Sequence, residues 1–163
     1  QLEAVLVQAG VRLRLLVVHI WAPIGRRGIA RWHAQLAELA ARMHGLGPVL
    51  RSGPPPGAPV GKTTSEPAAP RELPTVVVGD FNSTRQHRSF GRLVGPGWSE
   101  AGTIGFGGWR ATWPANRRWR PAMLNIDHIL AGPGISVLRG RAAKARGSDH
   151  RPIMAVLGLP RGL

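Results

Sequence analysis

TVVVGDFNST, residues Thr75 to Thr84, sets three consecutive valines and a glycine ahead of an aspartate and an asparagine two residues apart. Short apolar runs rich in β-branched residues mark strands buried on both faces. Val76, Val77 and Val78 fit that description, with Gly79 read as the stop. Asp80 and Asn82 then stand at a strand's C-terminal end, where layered α/β proteins place their sites. A turn opened by the same two residue types is the bland alternative.

Upstream, Leu2–Gln8 and Val11–Ile20 read as two strands joined by a tight Ala9-Gly10 turn, a hairpin. The second strand alternates at Val11, Leu13 and Leu15 and then becomes continuously apolar, so it runs from sheet edge toward core. Ile29, Trp32, Leu36, Leu39, Ala40 and Met43 recur at three- and four-residue spacing, which predicts an amphipathic helix from about Gly28 to His44. Gly45 and Gly47 supply its stop. Leu46 to Pro74 holds eight of the 15 prolines and scarcely any periodic apolar residue, so it is read as a flexible surface insertion. Within it GAPVGKTT imitates a phosphate-binding loop, but Pro56 stands where that pattern needs glycine, and no strand precedes it. Downstream, His87–Val94 predicts a short helix and Gly95–Pro121 a Gly- and Trp-rich loop. Leu124–Leu130, Ile135–Arg139 and Pro152–Leu159 predict three strands. This order suits an α/β sandwich layer more than a βαβ series.

At 163 residues the chain is long enough for one domain with a real core. Cysteine is absent, which excludes disulfides, thiolate metal sites and thiol nucleophiles. No apolar run reaches the roughly 20 residues that span a bilayer, and nothing resembles a signal peptide. The chain begins with Gln1 and enters a strand at once, so it reads as a fragment. The cytoplasm is the default location, with anchoring or secretion left to any segment upstream. A net charge of +14 draws polyanions: nucleic acid, phosphorylated small molecules or anionic lipid. All but two of the 22 basic residues are arginine, which also matches the coding bias of a GC-rich genome. Aspartates are fewer and more telling. Asp80, Asp127 and Asp149 are the whole set, each in a compact context beside apolar residues.

Each aspartate sits in a short polar motif adjoining a strand: GDFN (Gly79–Asn82), NIDHIL (Asn125–Leu130) and GSDHRPIMAVL (Gly147–Leu157). LLVVHIWAP (Leu15–Pro23) places His19 in the same way. In this order the motifs resemble the endonuclease/exonuclease/phosphatase superfamily, which includes pancreatic-type deoxyribonucleases, abasic-site nucleases, sphingomyelinases and inositol polyphosphate phosphatases. The resemblance implies an α/β (α+β) fold, the four-layer αββα sandwich of the deoxyribonuclease I-like type. It also implies a metal-dependent phosphoesterase, read as a phosphodiesterase or endonuclease-like hydrolase using Mg²⁺, with Mn²⁺ as a substitute. Phosphate-ester hydrolysis needs an oriented water, neutralised phosphoryl oxygens and a supported leaving oxygen, and carboxylates with a hard divalent ion supply the first two.

Residue by residue, the resemblance makes Asp127 the hydrogen-bonding orienter of His150 and gives Asp80 the attacking water or the leaving group. Asn82 would bond near the phosphate, Asp149 would offer oxygen to the metal, and His19 matches the strand histidine of the deoxyribonuclease-like and sphingomyelinase-like branches. His128 alternates away from Asp127 and is read as structural, while His33, His44 and His87 are read as solvent-facing. Arg85, Arg88 and Arg117–Arg120 are candidates for phosphate contact or for a solvated surface. Trp109, Trp113 and Trp119 are candidates for base stacking or for packing. The family's N-terminal half normally carries an asparagine near the first strand and a glutamate that is the principal metal ligand, and neither motif is found. The resemblance runs from about His19 to Leu159. Residues 1–163 are therefore expected to be one partial domain lacking its N-terminal part, acting on a phosphate ester, with nucleic acid among the candidates, and weakly active or inactive alone. Phosphomonoesterase, lipid-headgroup hydrolase and inactive polyanion binder are the rival readings.

Overall fold

A computed structural model describes residues 1–8, 10–45, 73–101, 111–116, 121–143 and 146–159. The proline-rich stretch up to residue 72, with GAPVGKTT, lies outside the described residues, as do Trp109, Trp119 and Arg117–Arg120. In chain order the elements are β1 (Leu2–Gln8), β2 (Val11–His19), α1 (Gly25–Met43), β3 (Thr75–Asp80), α2 (Arg88–Val94), β4 (Ser99–Glu100), β5 (Asp127–Ala131), β6 (Ser136–Ala142) and β7 (Ile153–Gly158).

β1 and β2 form the expected hairpin, with Leu2 opposite Val17 and Gln8 opposite Val11. α1 then carries the chain to β3, which lies parallel to β2. One βαβ crossover is therefore present, where the element order had suggested a plain sandwich layer. β5 joins β3 antiparallel, and β4 joins β5, so the first sheet is mixed, in the order β1-β2-β3-β5-β4. β6 and β7 pair in a second, two-stranded sheet.

Strand alternation divides the core into two layers. Leu16, Val18, Val77 and Leu130 face the helices and close on Trp32, Leu36, Leu39, Phe90 and Leu93, all buried. Leu13, Leu15, Val76, Val78, Ile129 and Ala131 face the other way, against Val137, Ala155 and Leu157 of the second sheet. Helices, five-stranded sheet and two-stranded sheet stack in that order, an α/β sandwich of the deoxyribonuclease I-like type. Beyond β6 and β7 the described residues add no further layer, and Leu138, Met154 and Val156 stay exposed on that outer face.

Gly79 corrects one expectation. It does not stop the strand but lies inside it, at φ +142°, because the Val18 carbonyl of β2 passes so close that a Cβ would fall 1.9 Å from its oxygen. Only glycine permits that approach, and β3 consequently runs on to end at Asp80. α1 also starts three residues earlier than its apolar spacing predicts, and Ile29, counted into the apolar stripe, is 44% exposed. No helix among the described residues is long and apolar enough to cross a membrane.

Candidate active site

Register brings the first three site residues together. His19 is the Cα partner of Asp80 across the parallel β2–β3 pair, and Asp80 is the partner of Asp127 across the antiparallel β3–β5 pair. Neighbouring strands lie about 4.8 Å apart, so the three form one row across one end of the sheet. Their side chains share the face of Val78 and Ile129, toward the second sheet, since residues two apart on a strand point the same way. His150 arrives from the segment entering β7 and donates from Nδ1 to Asp127 Oδ2 at 2.9 Å. His19 Nε2 stands 3.7 Å from Asp80 Oδ2.

The turn after β3 and the site are the same object. Asn82 N–H donates to Asp80 Oδ1 at 2.7 Å, and Asn82 Nδ2 donates to Asp80 Oδ2 at 3.2 Å and to the Ile20 carbonyl at 2.9 Å. Asn82 holds φ 45°, a left-handed conformation that asparagine tolerates better than most residues. Its amide donors thus fix the Asp80 carboxylate and tie the turn to the end of β2. The residue expected beside the phosphate also holds the aspartate, and it lines an open cleft with His19.

The groups are electrostatically coupled. Burial, reinforced by the negative charge of Asp127, raises the Asp80 pKa against the lowering effect of the Asn82 N–H. For His150, burial alone would depress the pKa. The hydrogen bond and charge of Asp127, with smaller contributions from Asp80 and Asp149, overcome that and raise it. Asp80, Asp127 and His150 each offer a ligand atom, all within 4.8 Å of one another, so this trio could hold a metal ion. Asp149 is placed differently. It is exposed, its Oδ2 accepts a bond from Trp113 Nε1 at 3.2 Å, and it is not a member of the trio.

Two supports, Thr112 and Glu100, went unread in the sequence. Thr112, fully buried, sets its Oγ1 3.3 Å from the backbone N–H groups of both Ile126 and Asp127, holding the entry to β5. Behind the row, His128 points to the helix side as expected. Its Nδ1 pairs with Glu100 Oε1 at 2.6 Å and its Nε2 with the Ser83 carbonyl at 2.7 Å, both groups buried. Glu100 also meets Arg85, whose Nε lies 3.1 Å from Oε2, so Arg85 is engaged in an ion pair. A single buried carboxylate from a two-residue strand leaves no periodic signal. His33 and His87 are exposed as expected, whereas His44 is half-buried, with Nε2 3.1 Å from the Leu93 carbonyl and its ring edge-on to Trp98.

Two open clefts flank the row. One is lined by His19, Trp21, Ile24 and Asn82, the other by Asp127, Ser148, His150 and Arg151.

No curated protein sequence matches the chain. Among solved structures it is similar to the mannosyl-6-phosphatase of Bacteroides thetaiotaomicron, at 18% identity and a TM-score of 0.60, covering 93% of this chain and 53% of that one. It is similar to a humanized D. rerio TDP2 at 16% identity and a TM-score of 0.63, covering 96% and 59%. It is also similar to a beta toxin from Staphylococcus aureus at 13% identity and a TM-score of 0.59, covering 94% and 55%. The chain thus spans about half the length of these structures, and at such identities the likeness is one of fold. The sequence itself matches a family model over residues 44–150, most of the chain and all of the row except His19, and this chain belongs to the Endonuclease/Exonuclease/phosphatase family.

Proposed function

We propose that the row is the active site of a metal-dependent phosphoesterase, acting on phosphate diesters in the manner of a nuclease. The observation that carries this reading is the Asp127–His150 hydrogen bond of 2.9 Å beside a half-buried Asp80 whose proton affinity is raised. Fixing Nδ1 as donor leaves His150 Nε2 for proton exchange with substrate, and the raised pKa favours its cationic form near a phosphoryl group. Asp80, aimed by Asn82, is placed to orient or deprotonate the attacking water. His19, largely exposed at the rim and close to Asp80, can donate to a phosphoryl oxygen.

The donor set fits a hard divalent ion. Two carboxylates lie so close that each penalises the other's charge, and a cation on Asp80 and Asp127 relieves that penalty. Mg²⁺ or Mn²⁺ there would supply charge neutralisation at the phosphoryl oxygens. The metal role expected for Asp149 passes, in this reading, to Asp80 and Asp127, while Asp149 anchors the Trp113 segment.

The test is turnover of bis-(p-nitrophenyl) phosphate and plasmid DNA, by this chain and by a form extended upstream, with Mg²⁺, Mn²⁺ or EDTA. Because the chain spans about half of the structures it resembles, the extended form is expected to be the more active. In it, Asp80→Asn and His150→Ala should each lower kcat by about 10²–10⁴-fold. Wild-type rates from a folded Asp80→Asn variant, or turnover indifferent to EDTA, would overturn the assignment. Faster hydrolysis of p-nitrophenyl phosphate than of the diester would favour a monoesterase on the same row.

A further inference from the structure

Between the end of β2 and the start of α1 the chain presents an indole to solvent beside the row. Ile20 is fully buried, yet the next residue, Trp21, keeps 52% of its surface exposed, and Ile24 keeps 80%. Exposure of this kind leaves half of an amphipathic ring free of the core and able to meet a ligand at the cleft wall.

The ring is also held in place. The Trp21 backbone N–H donates to Gln35 Oε1 at 2.7 Å, and the Ile20 carbonyl accepts from Asn82, so the main chain that carries the ring is anchored. Gly28 lets α1 lie close under this segment, since a Cβ there would sit 2.9 Å from the Ala22 carbonyl. The Arg31 guanidinium stacks 5.0 Å from the Trp21 ring centroid, fixing the ring plane through a cation–π contact. His19 and Asn82 line the same cleft as Trp21 and Ile24, so the indole shares a cleft with one residue of the row and with the residue that holds Asp80.

Charge selects among planar ligands. The first turn of α1 has no acidic residue and carries Arg26 and Arg27, to which Arg31 adds a third cation. A wall that is aromatic, apolar at its rim and backed by the Arg31 cation complements a flat ring attached to a phosphate. We propose that Trp21, backed by Arg31 and rimmed by Ile24, is a stacking subsite for the nucleobase next to the phosphate held at the row, so that the substrate is a nucleic-acid strand. The phosphate half of this proposal rests on the phosphoesterase reading; the stacking half rests on Trp21. A lipid surface would call for a broader apolar patch than one indole and one isoleucine hemmed by His19, Asn82 and arginines.

Calorimetric titration in EDTA, which prevents cleavage, reads the stacking half. The probes are hexathymidylate and an abasic deoxyribose-phosphate hexamer of equal charge. The protein should bind hexathymidylate at least tenfold more tightly, as one stacked base on an aromatic side chain suggests. Trp21→Ala should abolish that preference without changing affinity for the abasic strand, and Trp21→Phe should retain most of it. Equal affinity for the two strands, or a Trp21→Ala loss that is the same for both, overturns the subsite. Metal-dependent turnover of bis-(p-nitrophenyl) phosphate by the extended form reads the other half. If base preference persists without that turnover, the phosphoesterase reading fails while the subsite stands; turnover without base preference sinks the subsite alone. Trp21-dependent binding to phosphatidylserine vesicles, with no base preference, would overturn it in favour of a membrane contact.

Discussion

His150 shows most directly how a few neighbouring atoms set the chemistry. Its imidazole is drawn in two directions, burial working against the proton and the Asp127 carboxylate working for it, and the carboxylate wins. In the metal-free protein His150 should therefore titrate above the ordinary histidine value, followed by its ring proton resonances across pH. Asp127→Asn removes the full charge and leaves a weaker acceptor, so the titration should move to lower pH. An unmoved midpoint would show that Asp127 is not the controlling group. The pairing of Asp127 with His150 was legible in the motifs IDH and SDH, through the family they resemble. The pairing of His128 with Glu100 was legible only by half. Alternation along a strand told that His128 must point away from Asp127, but nothing periodic pointed to Glu100, since the strand that carries it is two residues long. The bonds of Asn82 to Asp80 and to the Ile20 carbonyl were not legible, because the direction of an amide is fixed by the turn geometry and not by the residue type.

At the scale of elements, Gly79 decides how β2 and β3 meet. The sequence suggested a strand end because glycine ordinarily interrupts a β-branched run. A close backbone approach between chain segments far apart in sequence carries no local signal, so the opposite outcome could be seen only in the fold. Gly79→Ala should be strongly disruptive. The added methyl falls on the Val18 carbonyl, a backbone atom that cannot swing aside, and φ +142° is itself unfavourable for alanine. The expected cost is at least about 2 kcal/mol, measured by urea unfolding. Faster hydrogen exchange should localise to the amides of β2 and β3 that pair His19 with Asp80. A variant within about 0.5 kcal/mol of the parent, the usual range for neutral surface changes, would mean that the two strands can part without loss. The strands and α1 were otherwise legible because each has a periodic apolar face; the expected boundaries drifted where Ile29 and the segment ahead of it lacked one.

Among the described residues the molecule is a sandwich whose outer face, on β6 and β7, no further layer covers. Its inner layers account for the alternation of β2, β3 and β5, and the crossover through α1 sets β2 and β3 parallel so that His19 and Asp80 reach the same end. The outer face of β6 and β7 has no such resolution: Leu138, Met154 and Val156 are 60%, 40% and 54% exposed. Cross-strand register sets Val156 against Arg139 and Met154 against Arg141, so this face mixes apolar and cationic groups. An apolar surface of this kind binds hydrophobic dyes and promotes self-association, and the chain on its own should show both, read by anilinonaphthalene sulfonate fluorescence and by light scattering. The doubly substituted Met154→Glu, Val156→Glu chain removes the apolar groups and places a carboxylate directly across from each arginine. Opposite charges facing each other on neighbouring strands are stabilising by roughly 0.2–1 kcal/mol per pair, so dye binding and scattering should fall while Tm holds or rises slightly. A sharp loss of Tm would show that these side chains are already buried against something in solution, and the open face would then be an interface between copies of the chain.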